Sequence, residues 1–190
     1  MDYKNLYEDL YQLGYQKDIN IGVKYIDWII SHYPFNSILD VGCAQGIAVQ
    51  RYQEKGKDAY GIDVAPTAIE LSKERKIKNC FVASATKIPF DDSFFDVVTT
   101  SDVLEHLTIE DVPLAIKEMI RVSKRLIFLR VSKFPENNRT WINKIQYKYP
   151  NIENLHLTIK PYHFWIKQFT TYGNCRYIKR FEKILVFEKK

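Results

Sequence analysis

Residues 37–46 read SILDVGCAQG, a short apolar run that ends in a turn bracketed by Gly42 and Gly46. A run of this length, apolar on both faces, is typical of a strand buried inside a parallel sheet. The apolar residues that follow, over residues 47–55, have the spacing of a helix. This stretch therefore predicts a strand, a tight turn and a helix.

The same alternation of strand and helix continues along the chain. Further strands are predicted at residues 58–63, 80–83, 94–100 and 125–131, and helices between them at residues 66–75 and 112–122. Each pair of neighbouring parallel strands needs a crossover connection, and helices of this length supply it. We therefore predict an α/β fold with a doubly wound, mostly parallel sheet and helices on both faces.

The two ends of the chain complete one predicted domain, residues 1–190, without a linker. Residues 1–20 are interpreted as an N-terminal cap or lid, and a helix is predicted over residues 21–33, ending at Pro34. Residues 132–173 are interpreted as an insertion after the fifth strand, with a helix at its end. Two β-like runs at residues 174–179 and 183–188 are expected to form an antiparallel hairpin at one sheet edge.

Composition excludes several classes of protein. The chain has 190 residues, a net charge of +5 and 46% hydrophobic residues, which suits an ordinary globular domain and neither a disordered nor a fibrous chain. No apolar run approaches the roughly 18 residues of a membrane span. The first residues lack the features of a signal peptide, so we expect a cytoplasmic protein. Three widely spaced cysteines, Cys43, Cys80 and Cys175, suggest neither disulfides nor a zinc site.

Two features near the carboxyl ends of the first strands point to a ligand. Glycines in the turn at Gly42 and Gly46 let the backbone approach a ligand, and the helix that follows offers unpaired N–H groups. Asp63 ends the second strand, where a carboxylate can accept hydrogen bonds from both hydroxyls of a ribose. Asp63 could also cap the helix that starts at Pro66. Together these features favour a nucleoside-containing cofactor, either a dinucleotide or a methyl donor.

Three segments of the sequence, taken in their order along the chain, distinguish between these two cofactors. They are ILDVGCAQG, AYGIDVAPTAIELSKER and FVASATKIPFDDSFFDVVTTSDVLEHL. Their order over about residues 21–131 resembles the class I S-adenosylmethionine-dependent methyltransferases. The resemblance implies a seven-stranded Rossmann-like sheet with an antiparallel last strand, and S-adenosylmethionine as the cofactor. By position it implies cofactor contacts from Asp40, Gly42, Cys43, Ala44, Gly46, Asp63, Val64, Ser84, Ala85, Thr86 and Ser101.

The chain departs from that family at two positions. Ala44 stands where a third glycine is common, and Ser84 stands where an Asp is common. We expect both changes to reduce the affinity for the cofactor without abolishing binding. An NAD-dependent dehydrogenase remains an alternative, although it does not explain the Pro89-Phe90 and Glu105-His106-Leu107 segments.

The sequence says less about the molecule that accepts the methyl group than about the cofactor. Residues 132–173 are expected to form the acceptor side of the site. Methyl transfer from a sulfonium is an in-line displacement that mainly needs alignment, and a hydroxyl acceptor also benefits from a general base. Asp102 and His106, which follow the fourth strand, are candidate catalytic residues, whereas Glu105 is expected to be structural. His156 is a third candidate because residues 154–161 resemble a stretch of glycan-modifying methyltransferases whose histidine faces the acceptor.

The favoured acceptor is therefore the hydroxyl of a sugar or glycan. No metal ligands are assigned, but a metal stays conceivable because Asp102, Glu105 and His106 are oxygen and nitrogen donors within one turn. A phenol, a quinone or RNA are alternative acceptors, and RNA stays open because the last third of the chain is basic. Nitrogen of a nucleobase is disfavoured because an Asn/Asp-Pro-Pro-Tyr motif is missing. A module that binds S-adenosylmethionine without turnover is an alternative of another class. The oligomeric state is left open.

Overall fold

A computed structural model of the chain describes residues 3–15, 22–136, 139–172 and 174–190. Its centre is a seven-stranded sheet with the strand order β3-β2-β1-β4-β5-β7-β6. The strands are β1 (Ser37–Val41), β2 (Asp58–Asp63), β3 (Cys80–Val82), β4 (Phe95–Ser101), β5 (Ser123–Arg130), β6 (Cys175–Phe181) and β7 (Ile184–Lys189). Strands β1 to β5 pair in parallel, whereas β7 runs antiparallel to both β5 and β6. The predicted fold class is confirmed, including the hairpin and the antiparallel last strand.

Helices fill the connections between the strands. They are α1 (Tyr3–Gln12), α2 (Ile26–His32), α3 (Ile47–Glu54), α4 (Pro66–Glu74), α5 (Val112–Val122), α6 (Arg139–Ile145) and α7 (Tyr162–Tyr172), with short 3-10 helices at Gly22–Tyr25 and Leu104–His106. Helix α6 was not predicted. It has only seven residues, of which Ile142 and Ile145 are buried, so its apolar period is too short to recognise in the sequence. None of the helices in the described ranges is long and apolar enough to cross a membrane.

Alternating side chains of the strands divide the core between the two faces of the sheet. Ile38 packs in a cluster with residues of α2 and α3, whereas its neighbour Leu39 packs with residues of α5 and α7. Both side chains are fully buried. Successive residues of a strand point to opposite faces, so a run that is apolar at every position can be buried only between two layers of helices. A third cluster joins α1, α4 and α6.

The direction of the chain along the sheet reverses at β1. Strand β1 pairs with β2 on one side and with β4 on the other. The connection after β1 therefore runs to one side of it, and the connection from β3 to β4 crosses to the other side. A crevice forms beyond the carboxyl ends of the strands at such a point, and ligands of open α/β sheets bind there. The topology therefore places the candidate site beside the turn after β1.

Asp96 ties the start of β4 to the start of β1. Its Oδ2 accepts hydrogen bonds from the backbone N–H groups of Asn36 (2.8 Å) and Ser37 (3.0 Å), and Lys124 Nζ lies 3.1 Å from Oδ1. Burial by itself would raise the pKa of Asp96, but these hydrogen bonds and the ammonium group outweigh it and lower the pKa to about 2.

We expect Asp96→Asn to reduce the free energy of unfolding at pH 7 by about 1 to 2 kcal/mol. A depressed pKa stabilises the fold above the unfolded value near 4, and this contribution disappears as the pH falls toward 2. Urea denaturation at pH 7 and pH 3 should therefore show a smaller difference between variant and wild type at pH 3. Asp91→Asn, at an exposed position, is the control. Equal stabilities of Asp96→Asn and wild type at pH 7 would contradict the prediction.

Candidate functional site

A cavity lies beyond the carboxyl ends of β1, β2 and β4, where the topology places it. Its walls come from α1, the turn after β1, the ends of β2 and β4 and the segment that follows β4. The lining residues are Tyr3, Tyr7, Tyr11, Tyr15, Gly42, Ile62, Asp63, Val64, Ala83, Ala85, Ser101, Asp102, Val103, His106 and Leu107.

The turn after β1 depends on two glycines in the left-handed region. Gly42 and Gly46 both have φ of +77°. A Cβ on Gly42 would lie 2.1 Å from Val103 Cγ2, and a Cβ on Gly46 would lie 2.8 Å from Cys80 Sγ. Ala44 also has a positive φ, +50°, so the turn contains a backbone conformation that alanine adopts at a cost.

Asp63 connects the two loops that border the cavity. Its Oδ2 accepts a hydrogen bond from Ala44 N (2.9 Å), and its Oδ1 accepts one from Ala65 N (3.0 Å). Burial raises the pKa of the Asp63 carboxyl, while the backbone hydrogen bonds act in the opposite direction. The side chain therefore has a fixed orientation at the cavity wall.

Only some of the predicted cofactor residues line this cavity. Those that do are Gly42, Asp63, Val64, Ala85 and Ser101. The remaining six do not line it: Asp40, Cys43, Ala44, Gly46, Ser84 and Thr86. Asp40 is buried, which raises its pKa to about 8, and the hydroxyls of Ser84 and Thr86 are hydrogen-bonded to each other at 2.8 Å.

Four tyrosines of the N-terminal segment form a wall that the predicted site lacked. Tyr3, Tyr7, Tyr11 and Tyr15 follow one another at intervals of four residues, and all four line the cavity. Residues four apart share one face of a helix. That spacing was the signal in the sequence that could have assigned them to the site. Of the predicted cap, residues 1, 2 and 16–20 lie outside the described residues.

Polar contacts hold helix α1 in place over the cavity. Glu8 accepts hydrogen bonds from the backbone N–H (3.0 Å) and the hydroxyl (2.5 Å) of Thr67 at the start of α4. Asp9 accepts hydrogen bonds from Lys148 Nζ (2.8 Å) and Tyr149 Oη (2.6 Å). Helix α1 is thereby joined to α4 on one side and to the segment after α6 on the other.

A second cavity adjoins the first. Tyr15, Asp102 and His106 line both cavities, so the two meet at these side chains. The other residues that line the second cavity are Arg130, Val131, Ser132, Lys133, Phe134, Pro135, Glu136, His156, Tyr162 and Lys183. Most of this lining is charged or hydrogen-bonding, in contrast to the largely aromatic and apolar lining of the first cavity.

The three predicted catalytic residues lie together at this junction. Asp102 accepts a hydrogen bond from the guanidinium of Arg130, with which it forms an ion pair that is mostly buried. The rings of His106 and His156 pack edge to face with centroids 4.6 Å apart. Fifty residues separate these two histidines in the sequence, so only the fold brings them together.

Nδ1 of each histidine lies within hydrogen-bond distance of a backbone carbonyl. His106 Nδ1 lies 3.0 Å from the carbonyl oxygen of Leu155, and His156 Nδ1 lies 2.6 Å from that of Phe134. A carbonyl oxygen only accepts, so Nδ1 of His156 holds the hydrogen and its Nε2 keeps the lone pair. Nδ1 of His106 is also hydrogen-bonded to the hydroxyl of Tyr7, which can donate or accept, so the contact with Leu155 does not by itself assign the tautomer of His106. Burial, together with the neighbouring His156, lowers the pKa of His106 to about 3, so this ring is neutral at pH 7.

Glu105 is fully buried beside the histidines. Its Oε1 accepts a hydrogen bond from Ser132 N, and among the described residues its Oε2 has no hydrogen-bond partner. Burial raises the pKa of Glu105 to about 8. One potential metal-ligand atom each from Glu105, His106 and His156 lies within 4.8 Å of the others. Glu105 was expected to be structural, and the approach of His156 to Glu105 and His106 was not foreseen.

Backbone hydrogen bonds bring the loop that carries His156 to this position. Thr158 N donates to the carbonyl of Glu105 (2.9 Å), and Thr158 Oγ1 donates to the carbonyl of Leu107 (2.8 Å). Asn154 Oδ1 accepts from His156 N at 3.0 Å. These bonds fix the loop against the 3-10 helix that contains Glu105 and His106.

Comparison with known proteins agrees with the fold. Residues 39–126 match the family described as "Methyltransferase domain". Malonyl-[acyl-carrier protein] O-methyltransferase of Serratia marcescens is 26% identical over 95 residues, which are 50% of this chain and 36% of that protein. A ubiquinone biosynthesis O-methyltransferase of Nitrosomonas europaea is 29% identical over 91 residues, 45% of this chain and 39% of that protein. The chain thus spans less than half the length of these two relatives.

A solved structure matches almost the whole chain. The crystal structure of magnesium protoporphyrin IX methyltransferase from Synechocystis PCC 6803 with bound SAH covers 99% of this chain and 96% of its own, with a TM-score of 0.69 and 15% identity. At this level of identity the likeness establishes the fold alone.

Proposed function

We propose that this chain is a class I S-adenosylmethionine-dependent methyltransferase that transfers a methyl group to a hydroxyl of a polar acceptor, with a sugar or glycan as the favoured class. The observation that carries the proposal is the junction of two chemically different cavities at Tyr15, Asp102 and His106. One cavity suits a nucleoside cofactor, and the other suits a polar acceptor. A transfer reaction needs such a junction because donor and acceptor must meet there.

The lining of the first cavity fits S-adenosylmethionine. Asp63 presents a buried carboxylate that suits the two ribose hydroxyls, and Val64 and Ala85 offer apolar surface for the adenine ring. Gly42 leaves its backbone open to the cavity because it has no Cβ. When bound, the cofactor supplies an electrophilic methyl group on a sulfonium.

The second cavity supports a polar, ring-shaped acceptor. Lys133 and Lys183 offer hydrogen-bond donors, and Tyr162 presents an aromatic ring. Sugars combine hydroxyl groups with apolar ring faces, so this mixture of donors and aromatic surface suits them. The charged lining favours a sugar over the apolar body of a quinone, which the name of the Nitrosomonas relative suggests as an acceptor for that protein.

At the junction of the two cavities, the acceptor hydroxyl must be aligned with the methyl group and must lose its proton. The acceptor oxygen forms its new bond to the methyl carbon as the carbon–sulfur bond breaks, and the electron pair of that bond stays on sulfur. His156 Nε2 has a lone pair that can accept the hydroxyl proton. Asp102 is less available for this role, since its Oδ2 accepts a hydrogen bond from the guanidinium of Arg130.

The proposed function is tested by transfer of labelled methyl from S-adenosylmethionine to a panel of nucleotide sugars, oligosaccharides, phenols, quinones and bulk transfer RNA. We expect label on saccharides. Label on RNA or on a quinone alone would overturn the sugar assignment while keeping the methyltransferase activity. Binding of S-adenosylhomocysteine with no transfer to any member of a broad acceptor panel would favour a binding module instead.

We expect His156→Ala to lower kcat for the identified acceptor by about tenfold or more, without changing the affinity for S-adenosylhomocysteine. His156 lines the second cavity and not the first, so its loss should affect the acceptor step alone. Single-turnover transfer and calorimetric titration measure the two quantities. His163→Ala, at an exposed position of α7, is the matched control. An unchanged kcat in His156→Ala would exclude His156 as the base.

A further inference from the structure

We propose that Glu105, His106 and His156 bind a divalent metal ion where the two cavities meet. The ligands would be one ring nitrogen from each histidine and one carboxylate oxygen of Glu105. The sequence alone assigned no metal ligands. Its catalytic consequence rests on the proposed function, whereas the binding site itself does not.

The donor set and its spacing suit a metal ion. Two imidazoles and one carboxylate form a common set for zinc, manganese and iron, and they leave coordination positions open for a further ligand. Two ligands about 2.0 to 2.2 Å from one ion are at most about 4.4 Å apart. The potential ligand atoms of the three residues lie within 4.8 Å of one another, so a small contraction of the cluster is sufficient.

The contacts behind the three side chains are those of a metal site. A histidine that binds a metal usually donates its other ring N–H to a carbonyl or carboxylate, which fixes the tautomer and the orientation of the ring. His156 Nδ1 does so toward the carbonyl of Phe134, which leaves Nε2 of His156 for the ion, and His106 Nδ1 is held between the carbonyl of Leu155 and the hydroxyl of Tyr7. Glu105 is oriented in the same way by Ser132 N.

Glu105 supplies an independent observation that points to a ligand. Its side chain has 0% exposure, and its Oε2 is without a hydrogen-bond partner among the described residues. A buried carboxylate oxygen without a partner loses its hydration and gains nothing in return, which is costly. A cation bound between this oxygen and the two ring nitrogens would remove that cost. If the two histidines only packed against each other, a buried carboxyl group beside them would have no role.

The position of the site suggests how a metal would act. His106 lines both cavities, and His156 lines the second one. An acceptor hydroxyl that binds the ion at an open position becomes more acidic, because the ion stabilises the alkoxide. With Nε2 of His156 bound to the ion, the metal takes the place of His156 as the group that activates the hydroxyl, so the proton passes to solvent and the oxygen forms the bond to the methyl carbon as the carbon–sulfur bond breaks. A five- or six-coordinate ion held by three side chains keeps at least two positions open, and two neighbouring hydroxyls of one acceptor can occupy them, so vicinal diols are the favoured sugars.

The binding site is tested without any acceptor. The purified chain is stripped with a chelator and titrated with Mn²⁺, and free Mn²⁺ is followed by electron paramagnetic resonance, with Zn²⁺ as a second probe by competition. We expect one site per chain in the wild type. Glu105→Gln and His156→Ala should each weaken binding by tenfold or more, whereas His163→Ala should bind as the wild type does. Circular dichroism and titration with S-adenosylhomocysteine establish that each variant is folded, and His156→Ala suffices if Glu105→Gln does not fold.

Two results would overturn the site: a wild type that binds neither Mn²⁺ nor Zn²⁺, or binding that His156→Ala leaves unchanged. The catalytic role is tested separately, by chelation followed by return of Mn²⁺ in the transfer assay. Transfer that is lost and then restored supports this role, and transfer that chelation does not affect refutes it. Metal binding without transfer to any acceptor would refute the proposed function and leave the metal site in place.

Discussion

Asp63→Asn is expected to weaken the binding of S-adenosylhomocysteine by about 100-fold or more. Charge-assisted hydrogen bonds contribute about 1.5 to 3 kcal/mol each, and the carboxylate can accept one from each ribose hydroxyl. The amide has a single acceptor oxygen, and its NH₂ group would also face the N–H of Ala44 or Ala65, both of which now donate to Asp63. Isothermal titration of variant and wild type measures the change.

A control and a pH series make this prediction specific. Asp91→Asn removes the same charge at an exposed position and should leave the affinity unchanged. Burial raises the pKa of Asp63, so its carboxylate is protonated at a higher pH than an ordinary aspartate. The affinity of the wild type should therefore fall as the pH is lowered, beginning above pH 4, and Asp63→Asn should lack this dependence. Tight binding by Asp63→Asn would show that Asp63 only positions the loops.

Gly42→Ala is expected to reduce the affinity for S-adenosylhomocysteine by about 100-fold and to lower stability. The new Cβ would lie 2.1 Å from Val103 Cγ2, far inside contact distance. The backbone has little freedom to move away, because Gly42 N and Cys43 N both donate to the carbonyl of Ile62 at 2.8 and 2.9 Å. The side chain of Val103 lines the cavity and must therefore shift against the cofactor. We expect the free energy of unfolding to fall by about 2 to 4 kcal/mol.

Gly56→Ala separates the two causes of this effect. Gly56 has φ of +75°, close to the +77° of Gly42, but a Cβ there would meet no atom within 4 Å. Gly56→Ala should therefore cost only the strain of the left-handed backbone, about 1 to 2 kcal/mol, with unchanged affinity. Thermal unfolding and calorimetry compare the two variants. If both lose affinity equally, a general loss of stability rather than the contact with Val103 is responsible.

Local patterns in the sequence were sufficient for most of the fold. The continuous apolar run at residues 37–41 predicted a strand buried on both faces, and β1 has these bounds. Helix α5 likewise has its predicted bounds, Val112–Val122. These elements show a continuous apolar run or a regular apolar spacing, so the residues that become buried form a pattern that neighbouring positions already reveal. Helix α6 was missed because seven residues with two buried positions carry too little of that signal.

The position of the first cavity could also be predicted from the sequence. Glycines at the turn after β1 and an acid at the end of β2 are local features, and the order of strands places both at the same edge of the sheet. Gly42 and Asp63 accordingly line the cavity. The tyrosines of α1 were missed as part of it, since their spacing shows that they share a helix face and not what that face covers.

The sequence by itself determined the fold class, the resemblance to a methyltransferase domain and the edge of the sheet where the first cavity lies, because each depends on short-range periodicity or on motifs in a fixed order. Only the tertiary structure decided how the distant parts meet. It places His156 against His106 and Glu105, and it pairs Asp102 with Arg130. Loops bring these residues together through backbone hydrogen bonds such as that from Thr158 to Glu105. Contacts of this kind depend on the path of the chain in space, for which the local sequence pattern holds no signal.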